Sequence, residues 1–157
     1  MGVFDESICD CCVCPMQCVL DQLRDESVEI FTTTVSRGIT INNVEDFILT
    51  GESSGDMFFY PICNVSAVRF LSDVPLNLKP NKKSTGVCSC CEDPTNRRLN
   101  EIDRNEPVNI DFLNGFVNGN FITDIGEGIV VVQDTPGSPT MTAISICQIT
   151  DVITNLD

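Results

Sequence analysis

The residues best able to do covalent chemistry lie in one short stretch. "CDCCVCPMQC" places Cys9, Cys11, Cys12, Cys14 and Cys18 within ten residues of a chain that has no histidine. Three chemistries suit such a set. Cys11, Cys14 and Cys18 are spaced as thiolate ligands of a metal, and an all-thiolate site needs no imidazole. Cys11 and Cys14 also form a Cys-x-x-Cys pair at a helix start, where the dipole lowers a thiol pKa and promotes redox exchange. The third is structural disulfides. Cys11 and Cys12 are adjacent, and one peptide bond rarely allows the separation and dihedral of a disulfide, so the two must seek different partners.

A second cluster helps to weigh these readings. Cys88, Cys90 and Cys91 in "CSCC" repeat the spacing of Cys9, Cys11 and Cys12, 79 residues later. This cluster contains no Cys-x-x-Cys spacing other than Cys88 to Cys91. Redox catalysis lacks its βαβ setting, and crowded thiols would scramble rather than poise one pair. Structural disulfides are the preferred reading, with no cofactor, and Cys11, Cys14 and Cys18 stay as the alternative metal set.

The correspondence extends beyond the cysteines. Leu20 and Leu23 map onto Leu99 and Ile102, Val28 and Ile30 onto Val108 and Ile110, and Gly38, Ile41 and Val44 onto Gly119, Ile122 and Ile125. "ICNVSAV" from Ile62 maps onto "ICQITDV" from Ile146, which matches Cys63 with Cys147. Five blocks in the same order indicate a tandem duplication. Cys63 and Cys147 each sit in an apolar run before a last strand. Each is either the acceptor of a leader thiol or a small buried hydrophobe.

Each unit must position its cysteines with the same elements. A short helix is expected from Pro15 in the first unit, and in the second from Asp93 as cap with Pro94 at the first helical position. Strands are expected over "SVEIFTTT", "GITINNVEDFILTG", "MFFYP" and "SAVRFL", with turns at "SRG" and "GESSGD". The second unit offers "PVNIDFL", "GNFITDIGEGIVVVQ", "TMTAISI" and "TDVITNL", with turns at "NGFVNGN" and "DTPGSP". The expected organisation is a Cys-rich leader at 1–14, a helix-plus-barrel unit at 15–75, a linker with the second cluster at 76–92, and a second unit at 93–157. The fold class is mainly β.

A short helix followed by about five strands, the last entered through "PIC" or "SIC", resembles the Sm-like (SH3-like) small barrel. The resemblance implies a strongly bent sheet in each unit. It carries no RNA-binding implication, because "ICNVSAV" and "ICQITDV" hold neither the basic residue nor the glycine of that family's last turn, and "NNVEDF" and "TDIGEG" match its base-holding turn only loosely.

Composition narrows the function. The net charge of −14, from 23 acidic and 9 basic residues, disfavours nucleic acid and anionic membranes as partners. Lys79, Lys82 and Lys83 all fall in "LKPNKKSTG" and suit a solvated linker. Without histidine the usual general base is missing. Glu45 with Asp46, and Asp124 with Glu127, suit solvated turns better than an acid/base dyad, so no catalytic residue is assigned and no enzyme is expected. "GESSGD" and "GEG" open no helix and suit hairpin turns, not phosphate cradles.

The N-terminus shows no export signal, and no apolar run reaches the ~18 residues that span a membrane. The expectation is synthesis in a cytoplasm, yet ten cysteines in 157 residues belong to an oxidising place or a metal site. Together, "CDCC", "CSCC", the missing signal and the β-rich body resemble the cysteine-rich coat, exosporium and appendage proteins of Bacillus-type spores. That resemblance implies a protein made in the mother cell, deposited on the spore surface, and bound to itself or to other spore-surface proteins by disulfides. The alternative is an intracellular Sm-like or zinc-binding adaptor, and a structural component of a phage particle would use the same physics as the first.

Overall fold

The computed structural model describes residues 13–78 and 88–154, with only the backbone described over 88–94. The protein is mainly β. Helix α1 (Val13–Gln22) is followed by β1 (Ser27–Thr32), β2 (Ser36–Glu45), β3 (Ile48–Ser53), β4 (Asp56–Pro61), a 3-10 turn (Ile62–Asn64) and β5 (Val65–Leu71). Helix α2 (Cys88–Glu101) then leads to β6 (Val108–Phe112), β7 (Gly115–Gly126), β8 (Ile129–Gln133), β9 (Thr140–Ser145), a 3-10 turn (Ile146–Gln148) and β10 (Ile149–Ile153).

The helix starts differ from the sequence expectation. Within the described residues α1 runs Val13–Gln22, so Pro15 lies inside it and does not open it. α2 begins at Cys88, so Asp93 and Pro94 lie inside it and are not its cap and first position. No glycine or proline interrupts Cys88 to Asp93, and the helix runs back past the local capping signal. The backbone of the second cysteine cluster is therefore helical, with Cys88, Cys90 and Cys91 on α2.

Turn chemistry sets the hairpins. Asp46 and Phe47 have φ of 52° and 64°, and Ser54 and Gly55 have 52° and 87°, both suited to two-residue turns that match strand twist. "SRG" is not a turn; it opens β2, and the chain reverses over Thr33–Val35 instead. Thr32 holds that reversal, its Oγ1 accepting from the backbone N–H of Val35 at 3.1 Å. "NGFVNGN" contracts to a turn at Leu113–Asn114, with Asn114 at φ 64°. The rest becomes β7, and Gly119 (φ 64°) absorbs the extra residue as a bulge opposite β6, its N–H donating to Asn109 Oδ1 at 2.7 Å.

The ten strands form one antiparallel sheet in the order β10-β6-β7-β8-β9-β5-β1-β2-β3-β4. The first half contributes β5-β1-β2-β3-β4, and the second β10-β6-β7-β8-β9. The halves share their irregularities: β1 slips against β5 at Phe31/Thr32 as β10 slips against β6 at Ile149/Asp151. The Ile62 N–H donates to Phe47 O, and the Ile146 N–H to Gly128 O, each at 2.9 Å. Both helices end in a matching turn, Leu23 N–H to Leu20 O and Ile102 N–H to Leu99 O.

Two buried clusters form the core. One gathers Met16, Val19, Leu20 and Leu23 of the α1 region with Ile30, Ile41, Leu49, Val68 and Phe70, and it also takes in Ile129, Val131 and Ala143 from the second half. The other gathers Leu99, Ile110, Ile122, Val132 and Ile144, and takes in Phe31 and Ala67 from the first half. Gln22 secures the segment after β5, its Nε2 donating to Asn77 O at 3.1 Å while its Oε1 accepts from the Asn77 N–H at 2.7 Å.

These contacts predict an ordered set of stabilities. Leu20→Ala empties a fully buried site and should cost about 2–5 kcal/mol. A Cβ on Gly51 would stand 2.9 Å from the Thr40 carbonyl oxygen and 2.6 Å from Ile39 Cδ1, so Gly51→Ala should cost about 1–3 kcal/mol. Gly38→Ala meets nothing nearer than 3.9 Å and should stay within about 0.5 kcal/mol of the parent. Urea unfolding followed by circular dichroism measures all three.

Candidate functional site

The pairing of β5 with β9 makes one sheet of two halves. Ala67 lies opposite Ile144, Val68 opposite Ala143, Arg69 opposite Thr142, and Phe70 opposite Met141. On one face Val68, Phe70 and Ala143 join the cluster beneath α1; on the other Ala67 and Ile144 join the cluster beneath α2. Ser66 is fully buried and its hydroxyl lies 2.7 Å from the Leu113 carbonyl, tying β5 to the turn of the other half. At the rim, Arg69 Nη1 donates to Glu29 Oε2 at 2.9 Å with its guanidinium over the Phe31 ring. That pair is a third exposed on each side and adds little, so main-chain hydrogen bonds and apolar burial hold the joint.

Strands of the same two kinds end the sheet. β4 occupies in the first half the place that β9 has in the second, and β10 occupies the place of β5. Among the described residues neither has a strand on its outer side. Position for position the difference in burial is large: Ala143 is fully buried, while Phe59, at the corresponding place on β4, is 69% exposed. Met57 is 50% exposed and Ile153, on β10, 46%. Main-chain groups without a neighbouring strand among the described residues here lie beside exposed apolar side chains, a combination open to further strand pairing.

The thiols divide between fates. Cys14 and Cys147 are each disulfide-bonded. Cys18 and Cys63 are free thiols within the chain, so neither closes a disulfide in its own unit. The buried-hydrophobe reading of Cys63 is corrected: Ile62 turns into the core, and Cys63, next in the 3-10 turn that follows β4, is exposed. Cys147, at the matching place, is half-buried. Cys9, Cys11 and Cys12 lie outside the described residues, and so do the side chains of Cys88, Cys90 and Cys91 on α2.

The alternative metal set loses a ligand by this arrangement. A disulfide sulfur has no thiolate to offer, so Cys14 cannot act with Cys11 and Cys18 while it is bonded. Among the described residues, no three Cys, Asp or Glu side chains converge as a metal group. Glu45 and Asp46 are exposed at the β2–β3 turn, where Glu45 Oε2 accepts from Asn43 Nδ2 at 3.1 Å. Asp124 is exposed and Glu127 half-buried at the matching β7–β8 turn. No helix of the described residues is long and apolar enough to cross a membrane.

Sequence reasoning found the cysteines and passed over the edges. The signal was there in "MFFYP": Met57, Phe58, Phe59 and Tyr60 are apolar on both faces, whereas a strand covered on one face alternates. Phe58 and Tyr60 pack against the core of their own half, which leaves Met57 and Phe59 outside.

The exposures predict an order of reactivity. Under native conditions without reductant, iodoacetamide should label Cys63 first and Cys18 more slowly, with Cys14 and Cys147 labelled only after reduction. Peptide mapping by mass spectrometry reads this order, and early labelling of Cys147 would contradict it.

Compared with protein-family models, with curated proteins and with solved structures, the chain matches none.

Proposed function

We propose that the chain is a non-enzymatic structural protein that assembles with copies of itself, built from two Sm-like barrel units in tandem and locked by disulfides from its Cys-rich segments. One observation carries this reading: among the described residues the sheet ends on two open strands, β4 and β10, whose counterparts β9 and β5 are already paired inside the chain. An edge with exposed Met57 and Phe59 is a costly feature for a monomer to keep, and main-chain pairing with another copy covers it.

The two-barrel reading is supported by the shared strand order, the coincident bulges and the matching 3-10 turns of the halves. Support for the spore-surface setting comes from the paired clusters "CDCC" and "CSCC": thiols kept reduced in the mother cell oxidise after it lyses, and the joined subunits then resist dissociation. Free Cys63, at the end of β4, stands where a neighbouring copy's thiols can reach it. Forming such a bond takes two thiols to one disulfide, two protons and two electrons, which dioxygen accepts outside the cell.

Unreduced native material should run as a ladder on a denaturing gel or fail to enter it, and reductant should collapse it to one band near 17.2 kDa. Electron microscopy of the same sample should show filaments, sheets or rings. A clean monomer band without reductant would sink the disulfide-locking part of the proposal.

A further inference from the structure

The open edges are complementary in volume as well as in hydrogen bonding, and the geometry points to one docking mode: β10 of one copy pairs antiparallel with β4 of the next, with Phe59 seated beneath α2 of its neighbour. This rests on the self-assembly reading and adds the partner surface, the register and the anchoring residue.

The register comes from the internal joint. With β10 in the role of β5 and β4 in the role of β9, the pairs of the joint transfer directly. Asp151 then lies opposite Tyr60, Val152 opposite Phe59, Ile153 opposite Phe58, and Thr154 opposite Met57. The faces agree with this register. Ala143 and Met141 of β9 turn away from their own core toward the cluster beneath α1, and Phe59 and Met57 turn away from theirs in the same sense.

The volumes then select the mode. At the joint the strand offers a small residue, Ala143, to a cluster containing Met16 and Val19 of α1 and Val68 and Phe70 of β5. At the open edge the strand offers a large residue, Phe59. The corresponding positions on the receiving side are Thr95 in place of Met16, Arg98 in place of Val19, Val152 in place of Val68, and Thr154 in place of Phe70. Arg98 is not packed inward; its side chain is 82% exposed and pairs with Glu101 at 2.8 Å. Leu99 and Ile102 keep the apolar floor, since they match Leu20 and Leu23. What the strand gains from Ala to Phe, the receiving side gives up from Met to Thr and from Phe to Thr. Close packing tolerates such an exchange only when both partners change together. The contact is heterologous, so repeated docking closes a ring or extends a filament.

The test is an exchange of volumes in the full chain, with assembly followed in reductant by light scattering and electron microscopy. Phe59→Ala should raise the concentration needed for assembly about tenfold or more, as the loss of one buried aromatic implies. Thr154→Phe should fill the recess and raise it similarly, and Thr95→Met serves as an independent variant of the same design. Combining Phe59→Ala with either filling substitution should restore assembly to within about threefold of the parent. Circular dichroism melting checks that each variant folds, and a photoreactive benzoylphenylalanine at position 59 should crosslink to residues 95–102 or 152–154 of another copy. Additive losses in the double variants, or crosslinks elsewhere, would overturn the docking mode while leaving self-assembly intact. A parent protein that stays monomeric, reduced or oxidised, overturns both.

Discussion

The hydrogen-bonded ladder between β5 and β9 is the constraint on which the rest of this molecule depends. Without it the chain has two five-stranded halves, each with two unpaired strand edges and an incompletely covered core. With it, Ala143, Val131 and Ile129 complete the cluster under α1, while Phe31 and Ala67 complete the cluster under α2. The T-shaped contact of Phe31 with Phe112, 5.5 Å between ring centres, lies within this second shared core. Small units bury too little surface to be comfortable alone, and sharing cores across a strand ladder reduces that deficit without lengthening either half.

The same ladder explains why the ends of the sheet are where function is to be sought. An antiparallel pairing that satisfies two edges leaves two others of the same kind, one at each end. Among the described residues the sheet therefore remains unpaired at both ends. Natural edge strands are usually blunted by charge, proline or a bulge. Here Pro61 ends β4, but the strand before it presents Met57 and Phe59 to the outside. In the proposed assembly this is the feature that joins copies, and the thiols act afterwards, making permanent what the strands have aligned.

The cysteines show how tertiary placement separates residues that local sequence treats alike. Cys63 and Cys147 occupy the same place in "PIC" and "SIC", yet one is an exposed free thiol and the other is half-buried and disulfide-bonded. The difference tracks the strands that precede them, since β4 lies at an open edge and β9 in the joint. Cys14 and Cys18 share one helix and also differ, the first buried and bonded, the second half-buried and free.

Much of the architecture was legible from residue pattern alone. Alternating and β-branched runs marked the strands, "GESSGD" and "DTPGSP" marked turns, and Leu20 with Leu23 and Leu99 with Ile102 marked the helix faces that are buried. Local signals misled at two places: α2 ran back past Asp93 and Pro94, with no glycine or proline between Cys88 and Asp93 to stop it, and Gly119, paired against β6, became a bulge inside β7 instead of a turn. By itself the sequence determined that the chain is rich in strands, that its apolar and cysteine spacings recur, and that its thiols are clustered. Only the tertiary structure decided that the units share one continuous sheet, which edges stay open, and which thiols face solvent. Strand order and edge exposure are properties of non-local pairing, and no run of neighbouring residues encodes which strand will lie beside it.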